Sequence, residues 1–195
     1  MDKYFKNNFI RIALLSGIST VLMFIEFPLP LFPIFLKFDF SDLPAIIGAF
    51  AMGPLAGILI ELIKNILHGI LLSSTLFVGE LANFMVGSIF VGTAGLVYKY
   101  NKSRRSAICG LVAGTVSMGI GASILNYFIF LPLYEKALGI KIQSIIKLSS
   151  NINKYIVDLK SLIYWTILPF NLLKGLIISV IAFFIYKKIS QFFKN

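Results

Sequence analysis

Residues 107–131 read AICGLVAGTVSMGIGASILNYFIFL, 25 residues without one charged side chain. A helix needs about 20 mostly apolar residues to cross the hydrocarbon core of a bilayer. Inside that core only helices and closed barrels satisfy their own backbone groups. Similar runs lie at about 9–27, 55–72, 80–100 and 162–193, and a shorter one, LPAIIGAFAM, at 43–52. The chain therefore reads as all-α: an integral membrane six-helix bundle forming a single transmembrane domain over residues 1–195, with the lipid bilayer as its solvent.

Composition agrees. The chain is 58% apolar and only 13% charged, where a soluble domain carries about 25% charge. Its mean hydropathy is +0.90. The 195 residues suffice for six spans and leave no room for a soluble ATPase domain of typical size. The net charge of +10 is explained by orientation signals and anionic lipid, so no nucleic-acid partner is expected. The lone Cys109 forms no internal disulfide. The first apolar run is long enough to span and has no small-residue cleavage site after it, so it reads as a retained helix.

The breaks between runs carry information too. Pro28, Pro30 and Pro33 end the first helix. The loop IFLKFDFSD after them is aromatic and charged at once. Ser41 or Asp42 can cap the second helix, with Pro44 tolerated in its first turn. Gly53-Pro54 separates the second helix from the third. The segment around 134–161 is polar to amphipathic and is expected to form an interfacial helix or a lid. Lys3, Lys6 and Arg11, then Lys99, Lys102, Arg104 and Arg105, then Lys187, Lys188 and Lys194 share one side of a six-span bundle. The positive-inside rule makes that side, and both termini, cytoplasmic.

Polar residues at membrane depth are the candidate functional groups, because each is costly against lipid. Glu61, Lys64, Asn65 and His68 share one stripe of the third helix. One reading is an internal Glu61–Lys64 pair, with Asn65 and His68 bonding neighbouring helices. The other is an enzyme site, which needs Glu61, Lys64 and His68 to open onto a shared cavity. Glu80 and Asn83 open the fourth helix. Asn126, Asn171 and Lys174 lie at similar outward depth, Asn171 and Lys174 three residues apart in LPFNLLKG. With one histidine in the chain, no metal centre is expected. Small residues, Gly87, Gly92 and Gly95 in the fourth helix and Gly110, Gly114, Gly119 and Gly121 in the fifth, predict close helix packing. Ala13 and Gly17 form a similar pair on the first helix and are candidates for contact with a partner. No GxxxxGK[ST] loop, HExxH or GxSxG motif is present.

The stretches FLKFDFSDLPAIIGAF, GPLAGILIELIKNILH, GELANF, NYFIFLPLY and LPFNLLKG fall in order across nearly the whole chain. Together they resemble the substrate-binding S components of energy-coupling factor (ECF) vitamin transporters, most closely the riboflavin-specific members. The resemblance implies a multi-pass protein of the prokaryotic plasma membrane that captures riboflavin near the outer face. It implies that a membrane coupling subunit and two ATPase subunits supply the energy, and it implies no enzyme activity and no cofactor. By the same resemblance, Asn126 bonds the flavin ring, and Asn171 and Lys174 contact ring and ribityl chain. The loop carrying Phe38, Asp39 and Phe40 covers the ligand, and the Ala13–Gly17 face meets the coupling subunit. Phe38, Phe40 and Tyr127 are candidates to stack on the ring, and Glu80 is the expected counter-charge for Lys174. An S component for a different small vitamin is the alternative within transport.

Overall fold

A computed structural model describes the backbone of residues 3–192 and the side chains of residues 8–185. The side chains of Lys3, Lys6, Lys187, Lys188 and Lys194, used above for orientation, lie outside the described residues. Helix α1 spans Lys3–Phe24. A small ribbon follows, β1 (Phe27–Pro28) antiparallel to β2 (Lys37–Phe38), with Phe27 opposite Phe38. Then come α2 (Asp42–Met52), α3 (Pro54–Leu72) and α4 (Val78–Tyr100). Helix α5 (Arg104–Leu125) runs through a π-helical turn (Asn126–Phe130) into α6 (Leu131–Leu138). A separate helix, α7, covers Ile142–Ser150. Helix α8 (Leu159–Leu162) runs through a second π-helical turn (Ile163–Ile167) into α9 (Leu168–Phe192).

Among the described residues, four rods are long and apolar enough to cross a membrane: Pro54–Leu72, Val78–Tyr100, Arg104–Leu138 and Leu159–Ile185. The apolar stretch Asn8–Phe24 and helix α2 are shorter. The sequence leads to an expectation of six spanning helices. Counting continuous rods once, the described residues hold seven, and the additional one is α7, within the segment expected to be interfacial. It is separate because Gly139, at φ 68°, ends α6 and donates its N–H to Glu135 O at 3.1 Å. Ile145 of α7 then buries against Leu131, Ile156 and Leu162.

Local chemistry sets the other boundaries. Gly53 takes φ 104°, a conformation only glycine adopts freely, and donates to Ala49 O at 3.0 Å to close α2. Pro54 then starts α3, where its missing N–H costs nothing. Ser41 stands at the N-cap position of α2 but makes no side-chain cap, contrary to expectation, because other partners engage both it and Asp42. Ser103 caps α5 by accepting from Ser106 N at 3.1 Å. Asp158 caps α8 through Ser161, whose hydroxyl and N–H hold its carboxyl below the usual carboxylate range.

Packing between spans is close. A Cβ on Gly110 would stand 2.7 Å from Ala94 O, and one on Gly114 would stand 2.8 Å from Phe90 O. Helices α4 and α5 can therefore meet at this distance only with glycine at both positions. The interior holds Ile46, Ala49, Phe90, Ala94, Met118 and Ile178. The outside is apolar as well: Leu14, Ile18, Val112, Val116, Ile124 and Val180 are exposed. For a chain solvated by lipid, that surface carries no penalty.

Candidate functional site

The spans alternate in direction, and one end of them encloses a cavity of about 640 Å3. Its wall takes residues from the last turns of α1 (Met23) and α3 (His68) and from the first turns of α2 (Asp42), α4 (Glu80, Asn83) and α9 (Phe170, Asn171, Lys174). Met118, Asn126 and Tyr134 come from the cavity end of the α5–α6 rod. The chain between α1 and α2, with Glu26 and residues 33–37, and helix α7, through Ile145 and Leu148, complete the enclosure. The turn at Gly53 and the basic turn between α4 and α5 lie at the other end of these helices. A cavity of this size, mostly apolar with a few convergent polar groups, has the character of a small-molecule site.

Of the candidate site residues named from the sequence, Asp39, His68, Glu80, Asn83, Asn126, Asn171 and Lys174 line it. Asn126 donates one amide N–H to Ala122 O at 2.8 Å, and Asn171 donates one to Ile167 O at 2.8 Å. These bonds to the preceding turn fix each amide on its helix and engage one of its two N–H groups. Asn126 also opens the first π-helical turn, a feature that often marks functional positions.

Phe38, Phe40 and Tyr127 stand outside the wall. Pairing of β2 with β1 sets Phe38 against Phe27 at 5.5 Å between ring centroids, and Phe40 meets Phe38 edge-on at 5.0 Å. Phe38 is buried, and Phe40 packs on the interior of the bundle. Tyr127 follows Asn126 by one residue, about 100° around the rod, and so lies outside with Phe128 in a shallow groove beside Tyr164 and Leu168.

The charge partners also differ from expectation. Lys174 Nζ donates to Asp39 Oδ2 at 2.9 Å and lies 3.2 Å from Asp42 Oδ2. Glu80 is engaged elsewhere. Its Oε1 lies 3.1 Å from His68 Nδ1, and its Oε2 accepts from Ser73 Oγ at 3.1 Å and Thr75 Oγ1 at 3.0 Å. Those bonds tie down the turn before α4, where Leu76 and Phe77 adopt positive φ and Ser73 Oγ accepts from Phe77 N at 3.1 Å.

On the α3 stripe, Lys64 Nζ and Glu61 Oε2 are 2.8 Å apart and both side chains are fully buried. Asn65 donates to Asn83 Oδ1 at 3.3 Å. Of the stripe only His68 reaches the cavity, so the enzyme reading lacks the shared opening it requires. Sequence reasoning did not single out Glu26, Lys37, Asp42 or Tyr134 as wall residues. For Asp42 the signal was the charge within FDFSD at a membrane edge. For Tyr134 it was its place eight residues after Asn126, two helical turns along one face.

Residues 7–186 match the family model described as the substrate-specific component of ECF transporters. The chain belongs to that family. It is similar to the riboflavin transporter RibU of Staphylococcus aureus strain TCH60, 41% identical over 186 residues covering 95% of this chain and 92% of the relative. It is also similar to the riboflavin transporter FmnP of Bacillus subtilis strain 168, at 38% identity over 94% of this chain and 92% of the relative. A solved structure of the S component of a bacterial ECF transporter superposes with a TM-score of 0.77 and 38% identity, covering 97% of this chain and 99% of that one. As an ECF substrate-specific component with four membrane-capable helices among its described residues, the chain is an integral membrane transport subunit and not an enzyme.

Proposed function

We propose that this chain captures riboflavin in the cavity at the outer face of the cell membrane, for ATP-driven uptake by a membrane coupling subunit and two ATPase subunits. The observation that carries the reading is that Asn126, Asn171 and Lys174 all line this cavity in a chain whose relatives are named riboflavin transporters. The uracil-like edge of the flavin ring alternates acceptors and donors, and an asparagine amide supplies both in one plane. The ribityl chain offers hydroxyls that accept from an ammonium such as that of Lys174.

In this reading residues 1–195 form one transmembrane substrate-binding domain. Six rods (α1, α2, α3, α4, α5–α6 and α8–α9) make the bundle, and α7 is a lid on it. Both termini face the cytoplasm together with Lys99, Lys102, Arg104 and Arg105. The exposed small residues Ala13 and Gly17 on α1 form the face for the coupling subunit. Riboflavin is the cargo rather than a cofactor.

Absorbance of the purified protein, followed by titration of the stripped protein with riboflavin by fluorescence quenching, tests the proposal. Co-purifying flavin and saturable one-to-one quenching are expected. A colourless protein that leaves riboflavin fluorescence unchanged, while another vitamin saturates it, would overturn the proposal.

A further inference from the structure

Lys64 lies outside the cavity wall, yet its ammonium stands behind both carboxylates that hold Lys174. Asp42 is divided between the two lysines, and Asp39 between Lys174 and Ser41. Asp42 gives Oδ1 to Lys64 and turns Oδ2 to Lys174. Asp39 gives Oδ2 to Lys174, while its Oδ1 accepts from the hydroxyl and the backbone N–H of Ser41. Ser41 Oγ in turn accepts from Lys64 Nζ at 2.8 Å. Lys64 thus reaches Asp42 directly and Asp39 through one hydroxyl. The groups are buried: Lys64 is 0% exposed, Ser41 0%, Asp42 1% and Asp39 2%. Ser19 on α1 adds a hydrogen bond to Ser41 O, so the relay is held from a third helix.

A flexible four-carbon side chain such as Lys174 has no rigid direction of its own. Its ammonium sits where its acceptors put it, and those acceptors are fixed from the far side. We propose that Lys64 is the positioning residue for Lys174: through Asp42 and the Ser41–Asp39 relay it sets where the cavity-facing ammonium stands, and so sets ligand affinity without touching the ligand. This rests on the riboflavin reading above.

Removing Lys64 alone strands buried carboxylates and can prevent folding. The test therefore uses the charge-balanced pair Lys64→Met with Glu61→Gln, and separately Ser41→Ala, which changes no charge. Riboflavin affinity is read by fluorescence quenching, and the empty protein is read by amide hydrogen exchange across residues 37–42. The expected result is at least a tenfold loss of affinity for the charge-balanced pair and a smaller loss for Ser41→Ala. Both losses should vanish when the same changes are made on a Lys174→Met background, and exchange across 37–42 should be faster in both variants. Parental affinity, or a loss of the same size on the Lys174→Met background, would overturn the proposal, since Lys64 would then act on the fold and not on Lys174. If the charge-balanced pair does not fold, Ser41→Ala decides on the same criteria. Failure of the parent chain to bind riboflavin falls on the function proposed above; the exchange measurement then decides the positioning role, and unchanged exchange overturns it.

Discussion

At the scale of single residues, the contacts divide into those that face the cavity and those that hold them. Asn126→Ala and Asn171→Ala each remove a polar group from the wall. Losing one partner of a buried polar contact costs about 1–3 kcal/mol, so each variant should bind riboflavin roughly tenfold to a hundredfold more weakly while keeping its fold. Parental affinity in a titration of either variant would remove that residue from the site. Lys174→Met and Glu80→Gln should act additively to within about 0.5 kcal/mol, because Lys174 is hydrogen-bonded to Asp39 and ion-paired with Asp42 while Glu80 is engaged by His68, Ser73 and Thr75. A double-mutant cycle with a larger coupling would show a connection that the geometry lacks. The sequence made depth legible here, since distance along an apolar run is distance through the membrane. Asn126, Asn171 and Lys174 could be set at one level for that reason. Rotation about each helix and the path of the loop were not legible. Lys174 was therefore matched to a carboxylate at the right depth, Glu80, when two nearer ones come from the folded-back FDFSD segment.

At the scale of elements, α1 and the α4–α5 contact make opposite demands on small residues. Nothing lies within 4 Å of the place a Cβ on Gly17 would occupy. Gly17→Leu and Ala13→Leu should therefore leave folding and riboflavin binding intact and reduce co-purification with the coupling subunit, and with it uptake. Recovery of the complex at parental yield would place the partner face elsewhere. Gly110→Leu should behave differently, because its side chain has only the Ala94 carbonyl to displace. Overpacking of this kind costs about 1–3 kcal/mol or more, and the variant should lose thermal stability in detergent before any ligand is added. Apolar runs, Gly53-Pro54 and the prolines after Phe27 made the long rods legible. The π-helical turns and the strand pairing that draws Phe38 inward leave no periodic trace in the sequence. Phe38 and Phe40 therefore pack inside the bundle rather than on the cavity wall, while Tyr127 turns outward because it stands one residue past Asn126 on its helix.

At the scale of the whole molecule, the distribution of charge around the cavity selects the cargo. Among the described residues the wall includes the carboxylates of Glu26, Asp39, Asp42 and Glu80 against the ammoniums of Lys37 and Lys174, and no arginine. Lys37 is paired with Glu26, and Lys174 with Asp39 and Asp42. A phosphate monoester brings about −1.5 to −2 charges and would find its nearest ammoniums already engaged. Riboflavin should therefore bind more tightly than flavin mononucleotide, and competition between the two for the purified protein checks the order. Equal or tighter binding of the phosphate would mean that Lys37 or Lys174 leaves its partner when ligand enters.

The paired state of Lys174 has an electrical consequence. A neutral vitamin settling against a wall whose ions are bound to one another carries no net charge into the field of the membrane. Each elementary charge moved across the whole field would contribute about 2.3 kcal/mol per 100 mV, and here none is moved. Affinity measured in sealed vesicles should accordingly be the same with and without an imposed potassium diffusion potential. Capture would then respond to the outside concentration alone, and a cell with a collapsed membrane potential would still load this subunit.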